Sequence, residues 1–146
     1  MRLFAPIPAA LCLVAFSSSL AAQRVLIKGA KPTDVTIAVN NRVGPQGFVL
    51  QDSSQKQAIF ARDRGLVSQT DTSGRVQAYH VVLELYVRFK QKGDSLQVEA
   101  REEAVGSRDK RLEFRRLIRS REELSTLEAL LQNVKEELEL RPAQNP

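Results

Sequence analysis

From Gln77 to Phe89 the chain alternates almost without exception. Gln77, Tyr79, Val81, Leu83, Leu85, Val87 and Phe89 occupy the odd positions, and His80, Glu84 and Arg88 stand among the even ones. Successive side chains of a strand point to opposite faces, so this pattern makes one apolar face and one polar face, which the 3.6-residue repeat of a helix cannot do. The segment QKGDS (Gln91 to Ser95) supplies a turn, and Leu96, Val98 and Ala100 then alternate with Gln97, Glu99 and Arg101. The pattern predicts a long antiparallel hairpin whose apolar face must be covered by something else in the chain.

The cover is predicted near the end of the chain. Ser120 and Glu123 have the S-x-x-E spacing of a capping box, and Leu124, Leu127, Leu131, Val134 and Leu138 follow in steps of three and four, with Pro142 just beyond. Burying each such side chain stabilises by about 1.5–3 kcal/mol before entropy. A coiled-coil seam would use the same stripe, but the stripe spans barely two heptads, so packing on the sheet is the expectation.

Upstream, Gln23 to Gly29 reads as a short strand, and Lys56 to Thr70 as an irregular strand bent near Gly65. Between them, Thr33 or Asp34 can cap a helix carrying Val35, Ala38, Val39 and Val43, while Val35, Ile37 and Val39 also alternate as a strand would. A short helix stopped at Gly44-Pro45 is the expectation, with GFVLQ leading into the next strand. The order of strand, helix, strand, long hairpin and helix predicts an α+β fold: a mostly antiparallel sheet with a long central hairpin and helices packed on one face.

The two ends of the chain read differently from this domain. Met1-Arg2, the apolar run Leu3 to Phe16 and the small-residue exit SSSLAAQ have the order of a secretory signal peptide. Residues 1–22 are therefore expected to be a leader, residues 23–141 a single α+β domain, and residues 142–146 a disordered tail. The only cysteine, Cys12, lies inside the apolar leader, where Leu11 precedes it and LVAF follows, so the mature chain would have no disulfide. Loss of Arg2 leaves 21 basic against 17 acidic residues, an excess of +4. That excess suits an anionic partner.

Catalytic groups are sparse. The mature chain has no cysteine, no tryptophan and one histidine, His80, which sits mid-strand beside Val82 and Glu84. Metal sites built from cysteines or several histidines are thereby excluded, no cofactor is implied, and a histidine-dependent triad would rest on His80 alone. Glu102 and Glu103 are adjacent in a strand and point to opposite faces, which argues against a paired acid and base. GPQG has neither the Walker nor the dinucleotide spacing. The expectation is a non-enzymatic protein.

One stretch is electrically distinct. Arg108, Lys110, Arg111, Arg115, Arg116, Arg119 and Arg121 stand against only Asp109 and Glu113. This run reads either as a solvated approach to the last helix or as a cradle for phosphates, which arginine forks bind in bidentate fashion. Nucleic acid is disfavoured by export and by the lack of clustered stacking aromatics, and lipopolysaccharide (LPS) is a natural anionic ligand in that compartment.

The stretch SGRVQAYHVVLELYVRF resembles the entry into the long central strand of the LPS-assembly lipoprotein LptE family, with Gly74, Arg75 and Tyr79 matching and Ala78 in place of an acidic residue. QVEAREEAV is similar to the charged strand that follows it there, and the order of elements matches over nearly the whole mature chain. The sequence departs from the family where AAQRVLIKG follows the leader without a lipobox cysteine or a G-F/W-x-L-R-G stretch. The resemblance implies a non-enzymatic role on the periplasmic side of the outer membrane, inside the LPS-translocating β-barrel, with LPS and the barrel protein as partners. It implies LPS contact through Arg75 and Arg101, with Lys92 at the opposite hairpin tip as a further site; the charge run adds Arg115, Arg116 and Arg119. A stand-alone periplasmic interaction or chaperone-like module is the alternative. Cleavage after the small-residue exit should give a mature N-terminus at Ala22 or Gln23 without lipid; an intact mass carrying diacylglycerol on Cys12 would overturn this.

Overall fold

The computed structural model describes residues 22–141; the leader through residue 21, with Cys12, and the tail 142–146 lie outside the described residues. The elements are β1 (Gln23–Lys28), α1 (Pro32–Val43), a short 3-10 turn (Gly44–Gln46), β2 (Val49–Ser53), β3 (Gln57–Thr70), β4 (Val76–Lys92), β5 (Ser95–Arg108), β6 (Arg111–Leu117) and α2 (Arg121–Leu140). The fold is α+β, and every strand pairing is antiparallel.

The alternating stretch becomes β4, at the centre of a six-stranded sheet of order β1-β5-β4-β3-β2, with β6 also paired to β5. Val81, Leu83, Leu85, Val87 and Phe89 are buried on one face, joined by Leu96, Val98 and Ala100 of β5 and by Ala58 and Phe60 of β3. The hairpin between β4 and β5 is tighter than QKGDS suggests: Lys92 pairs with Ser95, leaving only Gly93 and Asp94 in the loop. Gly93 takes φ +62°, a left-handed conformation that glycine adopts without a Cβ clash.

The ambiguous segment is a helix. Val35, Ala38, Val39 and Val43 of α1 are buried while Ile37 is 52% exposed, which the 3.6-residue period dictates and alternation does not. Neither Thr33 nor Asp34 is the cap: Lys31 holds that position, Pro32 begins the helix because its missing N–H is unneeded there, and Asp34 lies in the first turn, where acidic charge complements the exposed N–H groups. Helix α2 presents Leu127, Leu131 and Val134 to the core, with Leu124 and Leu138 half-buried beside them. The Ser120 hydroxyl accepts from the Glu123 N–H at 3.3 Å and caps its start.

The charge run contains an element the sequence reading did not include: residues 111–117 are an edge strand, β6, paired to β5 from Glu103↔Leu117 to Arg108↔Arg111. The turn consists of Asp109 and Lys110, both at positive φ (51° and 63°), as a two-residue hairpin of the type that matches strand twist requires. Its usual Asn-Gly or Asp-Gly signature is absent, so the turn is hidden in the sequence.

β1 and β6 pair with the same side of β5, at opposite ends: β1 with Ser95–Ala100 and β6 with residues 103–108. The helices pack over the β1 half, here called proximal. In the distal half, residues Val76–His80 of β4 contribute no buried side chain. β3 is bulged at the crossover, between Asp63 and Gly65, where Gly65 has φ +74°.

Leu83 is 3% and Leu131 1% exposed, facing each other's layer across the core. Leu83→Asp or Leu131→Asp buries an unpaired carboxylate at a cost of several kcal/mol, comparable with the whole stability of a domain this size. Both variants should lose the cooperative thermal transition followed by circular dichroism; an unchanged melting curve for Leu83→Asp would show that the strand faces are assigned wrongly.

Candidate functional site

The open face of the sheet, opposite the helices, carries a polar cluster assembled from three strands. The register Glu84↔Glu103 and Val105↔Arg115 brings two carboxylates and one guanidinium together. Arg115 Nη1 lies 2.6 Å from Glu84 Oε2, 2.7 Å from Glu103 Oε2 and 2.8 Å from the Tyr86 hydroxyl oxygen. The Tyr86 hydroxyl donates to Glu84 Oε2. Arg101, directly opposite Tyr86, stacks its guanidinium 4.9 Å from the centre of that ring and lies 3.7 Å from Glu103.

The electrostatics follow from this geometry. Burial pushes the Glu84 carboxyl up, but the Tyr86 hydroxyl and the Arg115 guanidinium outweigh burial and hold it below its ordinary value. Burial and then the Glu84 carboxylate raise the Tyr86 phenol. Glu103 and Glu84 raise Arg115 further, so it is a permanent cation. A carboxylate held ionised by a fixed guanidinium is a poor proton donor, and the cluster functions as a clamp that ties β6 across β5 to β4.

The helix-side face of the distal half has its own device. Phe114 lies across Gly106, where any Cβ would sit 2.2 Å from the ring, and meets Tyr79 edge-on with centroids 5.3 Å apart. The aromatic ring fills the space left by the glycine, and it covers a sheet surface that no helix reaches. Arg116 stacks on Phe114 at 4.9 Å, and Arg108 Nη1 donates to Gln77 Oε1 at 3.0 Å.

At the start of α2, Glu102 faces the helices rather than the open side. Burial and then the Glu123 carboxylate raise its pKa, opposed by Arg62 and Arg64. Glu123 Oε2 is buried without a hydrogen-bond partner, so only the Ser120 half of the expected capping box carries weight. Glu102 and Glu103 do point to opposite faces, as alternation requires.

Of the six residues read as LPS contacts, only Arg101 and Arg115 come together, at Tyr86 and Glu103, and the six do not form one site. Arg75 sits in the β3–β4 turn, where its N–H donates to the Asp71 carboxylate. That carboxylate is held below its usual range by the Ser73 hydroxyl and the Arg75 N–H. Arg101 lies opposite Tyr86, eleven residues along β4 from Arg75 and roughly 36 Å away at strand rise, so the two do not share one end of the sheet. Lys92 lies at the proximal tip. Arg115 and Arg116 occupy opposite faces of β6, and Arg119 lines a cleft of about 600 Å³ with Gln23, Arg121, Leu124 and Glu128. His80 faces the open side, where its Nε2 lies 3.0 Å from Asp63 Oδ1.

Charge is nonetheless organised on a larger scale. Residues 62–81 and 103–119 hold nine Arg and Lys against five Asp and Glu, while the remainder of 22–141 holds twelve of each. The basic excess therefore lies in these two segments, most of it on the distal strands, although Arg62 reaches Gln46 and Arg119 reaches the cleft beside α2. The aromatic filler and the Arg115 clamp were not legible in the sequence, although Gly106 followed eight residues later by Phe114 is a signal for the former once the turn between them is known. The chain matches no known family and no curated protein sequence.

Glu84 and Glu102 make opposite contributions to stability. The folded pKa of Glu84 is lowered, so its contribution is present above its unfolded value and is lost as pH falls through the folded one. Arg115→Met should therefore destabilise by about 1–2 kcal/mol at neutral pH, with the difference from wild type shrinking in acid. Glu102, raised in the folded state, disfavours folding when ionised, so Glu102→Gln should raise Tm at neutral pH and have no such effect near about pH 3. Thermal melts across pH check both; parallel curves for either variant and wild type would refute the assignment.

Proposed function

We propose that the protein is a non-enzymatic, exported binding scaffold that partners an outer-membrane β-barrel in LPS assembly and contacts LPS through its distal half. The observation that carries this reading is the half-sheet that outruns its helices, together with the basic excess of residues 62–81 and 103–119. The lumen of an outer-membrane barrel is polar, and a rigid strand platform with two wet faces is suited to such surroundings. Exposed arginines recognise phosphates by forked hydrogen bonds, and LPS carries phosphates beside acyl chains. The resemblance of SGRVQAYHVVLELYVRF to the LptE family supports the same reading.

The placement of the arginines determines how the proposal is tested. Reversing Arg101 or Arg115 would break the Tyr86–Glu103 cluster, and lost binding would then report lost structure. Arg75→Glu combined with Arg119→Glu leaves that cluster intact. The double variant should weaken LPS binding, more at low salt than at high salt, because ions already screen exposed charges. Lys92→Glu, at the proximal tip, should have a smaller effect. Wild-type LPS binding by the double variant, together with no barrel protein co-purifying from membranes, would leave the stand-alone periplasmic module as the better reading.

A further inference from the structure

The two collinear edge strands, β1 and β6, are protected very differently. The backbone of β1 is capped by α2: Lys135 Nζ donates to the Leu26 carbonyl at 2.8 Å, and the Lys28 N–H donates to Glu139 Oε1 at 3.1 Å. Leu26 and Lys28 are the β1 residues whose backbone groups alternate away from β5, so these bonds occupy the positions an added strand would use. Side-chain blocking of this kind is how sheets prevent strand addition.

β6 has no such protection among the described residues. The Ile118 N–H donates to the Glu102 carbonyl at 2.9 Å, which fixes the alternation: residues 114, 116 and 118 bond inward, and the backbone groups of Arg115 and Leu117 face outward. No side chain bonds them. Three features hold this strand in position nevertheless: the Arg115 clamp on the open face, the Phe114 ring on the other, and the tight Asp109-Lys110 turn.

Part of the charge on this edge has no carboxylate partner among the described residues. Arg108 and Arg111 are directly opposite across the turn, with Lys110 between them, and like charges placed opposite each other destabilise a strand pair. Arg111, Arg116 and Arg119 form no ion pair with a carboxylate among the described residues. Local rules are broken in this way where function requires it. A second copy of the chain would bring a second row of arginines against the first, so the edge repels itself.

We propose that the outer edge of β6 is a docking site for an extended, acidic segment of a partner protein, taken up as an added β-strand. Backbone hydrogen bonds to Arg115 and Leu117 supply affinity and register, and Lys110, Arg111 and Arg119 supply the selection for negative charge. This site shares Arg119 with the proposed LPS contact, and it is tested without LPS so that the two readings fail separately.

The test uses the purified protein and a fluorescent peptide of about eight residues, the length of an ordinary strand, alternating valine and glutamate. Three measurements are decisive. The peptide should bind with saturable anisotropy, and the same peptide with every backbone nitrogen methylated, equal in charge but unable to donate, should not. Lys110→Glu, Arg111→Glu and Arg119→Glu combined should weaken binding at least about tenfold, whereas Arg64→Glu, the same kind of reversal near the opposite sheet edge, should leave it unchanged. Bound peptide should slow amide hydrogen exchange at Arg115 and Leu117. Equal binding of the methylated peptide, an equal loss with Arg64→Glu, or unprotected amides at Arg115 and Leu117 would each overturn the proposal. So would self-association that is abolished by the triple reversal.

Discussion

The fold depends on the two-faced character of β4. Because it is flanked by β5 and β3 along most of its length, each of its side chains must suit both neighbours on its own face. Apolar residues from Val81 to Phe89 fix which face receives the helices, and a slip of one residue would turn that whole set toward water. The open face then inherits Glu84 and Tyr86, and with them the requirement for a cation. Arg115 answers that requirement from two strands away and thereby decides where β6 lies.

How much of this could be read from the chain depended on the range of the interaction. Periodicity is local, so β4, the return strand Leu96–Ala100 and the α2 stripe Leu127–Leu131–Val134 were legible. Helix α1 was only narrowly legible, because Val35, Ile37 and Val39 also alternate and twelve residues allow few repeats of either period, and the residues read as its cap lie inside it. β6 was illegible for a physical reason. An edge strand with one partner needs no continuous apolar face, and RLEFRRL reads as a charge run until its pairing partner and its glycine-free turn are known.

The candidate site was still less legible. Arg75, Arg101, Lys92, Arg115, Arg116 and Arg119 look equivalent in sequence, yet the fold gives them different tasks: a turn, a ring to stack on, a hairpin tip, a three-oxygen clamp, a second ring and a cleft. Long-range register created these differences. Arg101 and Arg115 are structural cations tied into the strand cluster on the open face, and the arginines left over are the ones available to a ligand.

Because residues 62–81 and 103–119 hold nine basic against five acidic side chains while the rest of 22–141 balances at twelve of each, positive charge is weighted toward these strands. In the field of an anionic surface such a body experiences a torque before it makes any contact, and that torque acts over about a Debye length, roughly 8 Å at physiological salt. The protein would arrive with its strand ends leading and its helices trailing. Orientation on approach is thus built into where the arginines sit, independently of which of them finally touches a partner.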